Sequence, residues 1–399
     1  MKFMQKAEIV IIGGGVVGAS VAYHLTERSC RDVLILEREG SLGLGSTGKA
    51  TGGVRAQFET DINIRLSLYS LDFFRDWEHN CAYEPGGYLF LATDENHLEF
   101  LRVSGERQRV LGYKDVRMVD NDMISAMVPG INCEDIVGGS FGPRDGFIDP
   151  LAVLNGFMSR AVASGAHIET RLEVISIVVS KGRIIGVETS GGTIECESVV
   201  LCAGAWASAL AMTAGIDLPV EPLRRQIVWA RCATDLPPDL PMVIDLSDGF
   251  HFRPAREFGL GPPAPTGGSD VGRDVLFAYP DKDEKAGFST DFDDAFIGKV
   301  YEKARHRAPF LAETTIVRDR CRAGLYEDTP DHHAILGGCE IEGLYFANGF
   351  SGHGVMHSPA TGRALAEIIL DGKASFLDVS CLSLDRFAMD KLLHETAFI

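Results

Sequence analysis

Three glycines near the start of the chain, Gly13, Gly15 and Gly18, have the spacing of a phosphate-binding turn. Gly13 permits a tight turn, Gly15 lets the backbone approach a pyrophosphate, and Gly18 lets the following helix pack closely on the preceding strand. Glu37 follows nineteen residues after Gly18, where its carboxylate can accept hydrogen bonds from a ribose. The spacing therefore predicts a dinucleotide site.

The elements that this site needs surround it in the sequence. An apolar strand over 9–12 runs into the glycines, a helix with an apolar face covers 19–25, and a second apolar strand spans 33–36. Together they form a βαβ unit whose helix N-terminus directs N–H groups at phosphates. We therefore expect an α/β fold, α+β overall, with a Rossmann-like domain.

Two later segments repeat the combination of strand and glycine turn. An apolar strand over 198–201 precedes the turn 203–206, and another over 344–347 precedes the glycine-rich turn 349–354. A helix is expected over 359–370 after the second turn. An alternating pair of strands over 172–177 and 184–188 is joined by a Lys-Gly-Arg turn. The cofactor domain is therefore expected to be discontinuous.

The intervening stretches mix alternating β segments with charged amphipathic helices, such as one over 295–308. A Pro/Gly-rich run over 259–268 predicts an exposed loop. We assign the cofactor-binding domain to 1–85, 142–221 and 318–399, and an inserted antiparallel substrate-binding domain to 86–141 and 222–317.

Composition narrows the class of function. The 399 residues carry a net charge of −18, which disfavours nucleic acid and anionic membranes as partners. The first strand begins too early for a signal peptide, and no apolar run approaches the roughly 20 residues of a membrane helix. Nine cysteines without a CxxC pair predict free thiols. We therefore expect a cytoplasmic protein that acts on small molecules.

Five segments together resemble the FAD-dependent amine and amino-acid oxidoreductases, the family that includes D-amino acid oxidase, glycine oxidase, sarcosine oxidase and dimethylglycine dehydrogenase. They are the glycine fingerprint with Glu37-Arg38, the loop 45–55, the turn 203–206, the segment 323–331 and the segment 349–360. The resemblance covers essentially the whole chain and implies FAD as the cofactor.

The resemblance assigns roles to particular residues. It implies that Glu37 holds the AMP ribose, that Ser46 and Thr47 hold the pyrophosphate and flavin, and that Val174 contacts adenine through its backbone. The positions implied to contact the cofactor are Gly13, Gly15, Val16, Val17, Gly18, Glu37, Arg38, Ser46, Thr47, Lys49, Ala50, Thr51, Gly52, Val174, Ala203, Gly204, Trp206, Gly324, Gly349, Gly352, His353, Gly354, Val355 and Met356.

Arg55 and Tyr326 are the main substrate candidates. Arg55 aligns with the arginine that grips the substrate carboxylate in monomeric sarcosine oxidase, and a guanidinium fork suits a carboxylate. Tyr326 aligns with an active-site tyrosine of that enzyme. It also stands where D-amino acid and glycine oxidases carry their carboxylate arginine, which disfavours a simple primary D-amino acid as the substrate.

Several family features are missing from the sequence. The cysteine that tethers flavin in monomeric sarcosine oxidase falls on Gly324, and the tethering histidine of dimethylglycine dehydrogenase falls on Lys49. FAD is therefore expected to be non-covalent. A lysine that joins the carboxylate arginine in sarcosine oxidase falls on Met356, and His251 and Arg253 are candidates to replace it. His332 and His333 have no companion spacing for a metal, so none is expected.

These residues predict an enzyme that transfers a hydride to flavin from the carbon next to a secondary or N-methyl amine bearing a carboxylate, such as sarcosine, proline or a glycine derivative. The alternative is a flavoprotein subunit with an assembly or electron-relay role in a larger complex. The acceptor is oxygen, a quinone or a protein carrier, and both homo- and hetero-oligomers remain open. The strand over 274–279 lacks the lysine that promotes oxygen use in sarcosine oxidase, which favours a dehydrogenase unless Lys49 supplies that charge.

Overall fold

A computed structural model describes residues 5–79, 81–255 and 272–395. The loop expected over 259–268 lies outside the described residues. Within them, the strands are β1 (Ile9–Ile12), β2 (Val33–Glu37), β3 (Gly53–Val54), β4 (Tyr88–Ala92), β5 (Arg117–Val119), β6 (Gly138–Gly142), β7 (Gly146–Phe147), β8 (His167–Thr170), β9 (Val174–Ser180), β10 (Arg183–Thr189), β11 (Gly192–Glu195), β12 (Ser198–Leu201), β13 (Glu221–Arg231), β14 (Met242–Asp245), β15 (His251–Pro254), β16 (Asp274–Ala278), β17 (Thr315–Ile316), β18 (Arg322–Asp328), β19 (Ile335–Gly338) and β20 (Leu344–Asn348).

The helices connect and cover these strands. They are α1 (Val16–Glu27), α2 (Ser46–Lys49), α3 (Asp61–Asp76), α4 (Glu95–Val110), α5 (Asn121–Met127), α6 (Pro150–Ala163), α7 (Ala207–Thr213), α8 (Ala295–Arg307), α9 (Gly354–Asp371) and α10 (Asp385–Ala388). Short 3-10 turns occupy Gly204–Trp206, Pro309–Leu311, Arg318–Arg320 and Ser380–Leu382. Among the described residues, no helix is both long enough and apolar enough to cross a membrane.

The first sheet has the order β19-β20-β12-β1-β2-β8. β1 is fully buried and runs parallel to both β2 and β12, with Ile9 opposite Val33 on one side and Ser198 on the other. Because these neighbours are parallel, their carboxyl ends meet at one edge of the sheet, which is where ligands bind in open α/β folds. The Rossmann-like α/β prediction is confirmed.

Helix α1 packs between α9 and α6 on one face of this sheet. Its closest contact with α9 is at Gly362, where a Cβ would lie 2.3 Å from the Ser20 hydroxyl oxygen. That hydroxyl donates to the Ser358 carbonyl at 2.7 Å. A larger residue at position 362 would push α9 away from α1.

Helix α9 begins earlier than the sequence predicts. The expected start was at Pro359, but the helix already begins at Gly354 and continues through the proline. Proline lacks the N–H that would donate to the Val355 carbonyl, and the Ser358 hydroxyl donates to that carbonyl at 2.9 Å instead. The side chain before the proline thus satisfies the group that the proline leaves without a donor.

A second, nine-stranded sheet has the order β17-β13-β16-β15-β14-β4-β6-β5, with β18 paired to β13. Its pairs are antiparallel except β14 with β4, and its core includes Phe250, Phe252 and Phe277. This sheet draws mainly on the segments that the sequence assigned to the substrate domain. β18 joins it from the segment assigned to the cofactor domain, because the long β13 extends far enough to pair with it. The domain boundaries stay a prediction.

The strand pair predicted over 172–177 and 184–188 is confirmed as β9 and β10, which with β11 form a separate three-stranded sheet. Lys181 and Gly182 connect them with φ angles of 52° and 77°. Two consecutive left-handed residues form the hairpin turn that matches the twist of the strands.

Candidate cofactor and substrate site

A cavity of about 770 Å³ lies between the carboxyl edge of the first sheet and one face of the second. Its lining includes Glu37 at the end of β2 and His251 on β15. The predicted residues on its wall are Gly13, Gly15, Val16, Val17, Glu37, Arg38, Ser46, Thr47, Lys49, Ala50, Thr51, Gly52, Arg55, Val174, Ala203, Gly204, Trp206, His251, Gly324, Tyr326, Gly352, His353, Gly354, Val355 and Met356. Gly18, Arg253 and Gly349 lie outside this lining.

The glycine turn after β1 is too crowded for side chains. A Cβ on Gly13 would lie 2.3 Å from the Cys202 carbonyl oxygen, and Gly13 has a φ of 113°. A Cβ on Gly18 would lie 2.1 Å from the Gly13 carbonyl oxygen, so Gly18 permits helix and strand to pack without facing the cavity. These contacts give Gly13 and Gly18 the packing roles that the sequence motif predicts.

Glu37 is held in place by backbone donors at the cavity wall. One carboxylate oxygen accepts from the Gly14 N–H at 3.0 Å, and the other accepts from the Glu39 N–H at 2.9 Å. Beside it, the Arg38 guanidinium lies 3.8 Å above the ring of Trp206, which stacks on Phe288. The ribose role of Glu37 stays a prediction, and its carboxylate is oriented in advance of any ligand.

The loop that follows Gly45 is hydrogen-bonded to helix α1 and to strand β18. The Thr47 hydroxyl accepts from the Val16 N–H at 3.1 Å, at the first turn of α1. The Ser46 hydroxyl donates to the Leu325 carbonyl at 2.7 Å. Arg322 donates to the carbonyls of Lys49 and Ala50 at 3.1 and 3.0 Å. The hydroxyls predicted to hold a pyrophosphate therefore also fix the loop.

Lys49 and Gly324 come together from distant parts of the sequence. A Cβ on Gly324 would lie 3.1 Å from the Lys49 Cβ. Burial lowers the pKa of Lys49, while the negative charges of Asp291 and Glu39 partly oppose this shift. The two positions that tether flavin in relatives are thus adjacent here, and neither carries the tethering residue type.

The turn before α9 is shaped by its neighbours. Gly349 donates its N–H to the Glu327 carboxylate at 3.2 Å, behind the cavity wall. Gly352 has a φ of 92°, and a Cβ there would lie 2.4 Å from the Tyr326 ring. Burial lowers the pKa of His353, and it lowers the pKa of His357 to about 3. Both imidazoles are therefore neutral at physiological pH.

Arg55 places a buried positive charge in the cavity. Arg55 is only 4% exposed to solvent. Its guanidinium lies 3.9 Å above the Phe58 ring and donates to the Gln57 carbonyl. Asp145 braces the same loop by accepting from the Ala56 N–H at 2.8 Å and from the Gln57 amide at 2.9 Å. Burial lowers the pKa of Arg55 from its high ordinary value. A guanidinium so placed is suited to bind a carboxylate.

His251 lines the cavity as a neutral ring. Burial lowers its pKa to about 4, and the charge of Arg55 adds to this shift. Its Nδ1 lies 2.9 Å from the Gly249 carbonyl oxygen, which can only accept, so Nδ1 carries the hydrogen. The neutral ring then presents Nε2 as a hydrogen-bond acceptor.

Arg253 does not reach the cavity with His251. His251 and Arg253 are two residues apart on β15 and so start from the same face of the strand. The Arg253 guanidinium nevertheless donates to the carbonyls of Pro254 and Thr51 and lies 4.6 Å from the centre of the Phe147 ring. The guanidinium therefore holds the cofactor loop at Thr51. Its predicted contact with substrate has no support from this placement.

Many residues of the cavity lining were not predicted from the sequence. Those with polar side chains include Tyr88 on β4, Arg225 on β13 and Glu327 on β18. Burial raises the pKa of Glu327 to about 7. Arg225 and Arg224 are adjacent arginines, and the alternation of a strand could have indicated that only one of them faces inward.

The residues present fit an extended dinucleotide. Gly15 exposes its backbone on the cavity wall, where a Cβ would meet only the Thr47 hydroxyl oxygen, at 3.4 Å. The first turn of α1 directs its backbone at the cavity, and an oriented carboxylate stands at the end of β2. The volume lies in the upper part of the roughly 300–1,000 Å³ range of small-molecule sites. Among the residues that the structure describes, no cluster of three or more His, Cys, Asp or Glu could hold a metal ion.

Comparisons with known proteins show what the chain is similar to. The family model for FAD dependent oxidoreductases (DAO) matches residues 8–368. The chain is 32% identical over 440 residues to FAD-dependent oxidoreductase domain-containing protein 1 of Xenopus laevis, covering 98% of this chain and 84% of that protein. It is 27% identical to 4-methylaminobutanoate oxidase (formaldehyde-forming) of Paenarthrobacter nicotinovorans, covering 95% of this chain and 45% of that protein.

A solved structure shares the whole architecture. The L-proline dehydrogenase of P. horikoshii superimposes with a TM-score of 0.87 at 28% identity, covering 98% of this chain and 100% of that one.

Proposed function

Since the chain belongs to the family of FAD-dependent oxidoreductases, we propose that it oxidises a secondary or N-methyl amino acid at the carbon next to the amine. The product is an imine, which water hydrolyses. The single observation that carries the proposal is the buried guanidinium of Arg55 on the wall of the cavity that fits the cofactor.

Two of the similar proteins support the substrate class. Proline and 4-methylaminobutanoate, which their names specify, are both secondary amines that bear a carboxylate. A carboxylate bound to Arg55 would fix one end of such a substrate. Tyr326 and Met356 on the same wall would then enclose the carbon chain.

The chain itself has to orient the substrate and keep its amine neutral. FAD, when bound, supplies the acceptor for the two electrons and the hydrogen that leave the carbon as a hydride. As the C–H bond breaks, the nitrogen lone pair forms the C=N bond, so the amine must not carry an extra proton. The neutral ring of His251 can accept a hydrogen bond from the N–H of the neutral amine at Nε2, which would help to orient the nitrogen.

We propose that FAD is held without a covalent bond. Gly324 has no side chain to react, and Lys49 is not the histidine or cysteine that tethers flavin in the relatives named above. Acid or heat should then release intact FAD from the purified protein. Yellow flavin that stays with the denatured polypeptide would contradict this.

The proposed electron acceptor is a quinone, a protein carrier or a partner subunit. The supporting observation is that β16 (Asp274–Ala278) contains no lysine, although Lys49 lies on the cavity wall. All nine cysteines lie in the described part of the chain and are free thiols, which supports a reducing compartment such as the cytoplasm.

The decisive experiment is an anaerobic screen of the FAD-bound protein. Sarcosine, proline, 4-methylaminobutanoate, N-methyl derivatives of larger amino acids and primary D-amino acids are each mixed with it, and loss of the oxidised flavin absorbance is followed. We expect secondary amines with a carboxylate to reduce the flavin. If no amine does so, and the chain is recovered from native lysate only within a larger complex, the alternative role as an assembly or relay subunit replaces the proposal.

A further inference from the structure

Two arginines line the cavity, and the proposed function uses only one of them. Arg225 lies on β13 directly opposite Gly324 of β18, and its guanidinium carbon stands 5.5 Å from the centre of the Tyr326 ring. Arg55 lines the same cavity from the residue that follows β3. Two guanidiniums therefore approach the space beside Tyr326 from different sheets.

The guanidinium of Arg225 forms few hydrogen bonds with the described residues. One terminal nitrogen donates to the Arg224 carbonyl at a long 3.3 Å, and its buried Nε has no hydrogen-bond partner among the described residues. No carboxylate within the described ranges forms an ion pair with it. The adjacent Arg224, by contrast, pairs with Glu284 at 3.0 Å and also donates to the Asp291 carbonyl. One of two neighbouring arginines is thus neutralised by the protein, and the other is not.

The acidic side chains of β18 are engaged with other groups than Arg225. Glu327 accepts from the Asn348 amide at 2.9 Å and from the Gly349 N–H, and Asp328 lies 2.8 Å from the His332 Nδ1. Tyr326 is a phenol whose pKa burial raises, and His251 is a neutral ring. A partly buried guanidinium without a paired anion is costly, and an anionic ligand would offset that cost.

We propose that the substrate carries two carboxylates, one bound by Arg55 and the other by Arg225. The chemical class is an amino acid with a secondary amine and a second acidic group, either on its side chain or on its N-alkyl substituent. This inference rests on the proposed function for the amine, and it specifies what the rest of the molecule must contain.

The charges of the cavity favour two anions over one. Each of the two guanidinium forks can bind both oxygens of its own carboxylate. Tyr326 and His251 lie within electrostatic reach of both Arg55 and Arg225, so the two charges flank the same space. Without a second anion, binding a monocarboxylate would leave one of two like charges uncompensated in an enclosed site.

Binding of inert carboxylates to the FAD-bound protein tests the proposal without turnover. Succinate and butyrate have the same number of carbons and differ by one carboxylate, and their affinities are measured by calorimetry. We expect succinate to bind at least about tenfold more tightly than butyrate, as one additional charged hydrogen-bonded contact should give. Arg225→Gln should reduce this preference to within about twofold while leaving butyrate binding unchanged.

Two companion variants make the result specific. Arg224→Gln, which removes a neighbouring arginine that faces away from the cavity, should keep the full preference for succinate. Arg225→Lys should keep part of it, because the charge remains but the fork is lost. Flavin content and melting temperature are measured for each variant, so that a misfolded protein is recognised.

The proposal is overturned if succinate and butyrate bind the parent protein equally, if succinate does not bind at millimolar concentration, or if its preference survives Arg225→Gln. Failure of the amine oxidation has a different signature. A preference for succinate that depends on Arg225, in a protein whose flavin no amine reduces, would retain the diacid site and reject amine oxidation.

Discussion

The ring of Tyr326 lies against the α-carbon of Gly352, so that a Cβ on Gly352 would stand 2.4 Å from the ring carbon Cε2. The contact joins β18 to the turn before α9. The contact brings a predicted substrate residue, Tyr326, directly against the backbone of a predicted cofactor residue, Gly352. The Tyr326 ring can occupy this position only because Gly352 has no side chain.

Gly352→Ala should displace the Tyr326 ring and strain a backbone whose φ is 92°. We expect a loss of about 1–3 kcal/mol in stability and a fall in kcat/KM larger than Gly192→Ala produces. Gly192 is the matched control, because its φ is 118° but a Cβ there would meet nothing within 4 Å. Equal kcat/KM in the two variants would mean that the ring position does not matter for turnover.

Arg55→Ala should lower kcat/KM for amines that bear a carboxylate by about ten- to a hundredfold, which corresponds to the roughly 1.5–3 kcal/mol of a charged hydrogen bond. Flavin content should not change. Arg55→Lys should restore only part of the activity, because an ammonium lacks the bidentate fork. The exposed Arg102→Ala serves as the control. Parental kcat/KM in Arg55→Ala would show that another group holds the carboxylate.

Glu37→Ala should weaken FAD binding by about ten- to a hundredfold, because an oriented carboxylate acceptor is lost. The dissociation constant is measured by titrating FAD into apoprotein and following flavin fluorescence. Glu197→Ala removes an exposed carboxylate elsewhere and should leave the affinity unchanged. An unchanged affinity in Glu37→Ala would remove this residue from the cofactor site.

Glu327 should make the stability of the protein fall as pH rises. Burial raises its pKa from the ordinary 4.5 to about 7, so between these values the folded protein keeps a proton that the unfolded chain has released. The free energy of unfolding therefore decreases across this window, by roughly 3 kcal/mol, and stays low above it. The pKa of Asp145, raised by burial to about 7, acts in the same direction.

Glu327→Gln cannot ionise, yet it keeps an oxygen for the Asn348 amide. We expect its melting temperature to fall less between pH 5 and pH 8 than that of the parent, with FAD saturating in both. The exposed Glu340→Gln should show the parental difference. A parental difference in Glu327→Gln would assign the pH dependence to other groups.

Oxygen should reoxidise the reduced flavin slowly, because no lysine stands on β16 to stabilise the negative charge that develops as oxygen takes the first electron. The protein is reduced anaerobically with substrate and mixed with air-saturated buffer, and the return of flavin absorbance is timed. Reoxidation as fast as reduction, with stoichiometric peroxide, would establish an oxidase. Lys49→Met would then show whether Lys49 provides the charge, since only a selective loss of the oxygen reaction fits that role.

The positions of the glycine turn and of Glu37 in the fold could be predicted because the constraints on them are local. Gly13, Gly18 and Glu37 act through backbone turns and strand ends, which short sequence patterns specify. Arg225 and Tyr88 could not be found in this way, since each reaches the cavity only when strands distant in sequence pair across the second sheet.

Arg253 shows how a prediction based on neighbours in sequence can fail. Its place beside His251 in the sequence suggested a substrate contact, but its guanidinium bonds the Thr51 carbonyl. The carbonyl that an arginine bonds depends on which distant loops lie next to it in the folded chain, and the local sequence does not specify this. The start of α9 differed for a related reason, because the bond from the Ser358 hydroxyl lets the helix continue through Pro359.

Ser46 and Leu325 are 279 residues apart in sequence, and the hydrogen bond between them joins the loop after Gly45 to β18 of the second sheet. Arg322 and Arg253 fasten the same loop from the second sheet, while Thr47 fastens it to α1 in the first. The two sheets should therefore melt as a single cooperative unit, with one calorimetric transition that ligand binding moves as a whole. Substitutions on the second sheet that change substrate preference must therefore keep the hydrogen bonds from Arg322 and Arg253 to this loop, because losing them would weaken both cofactor binding and the fold.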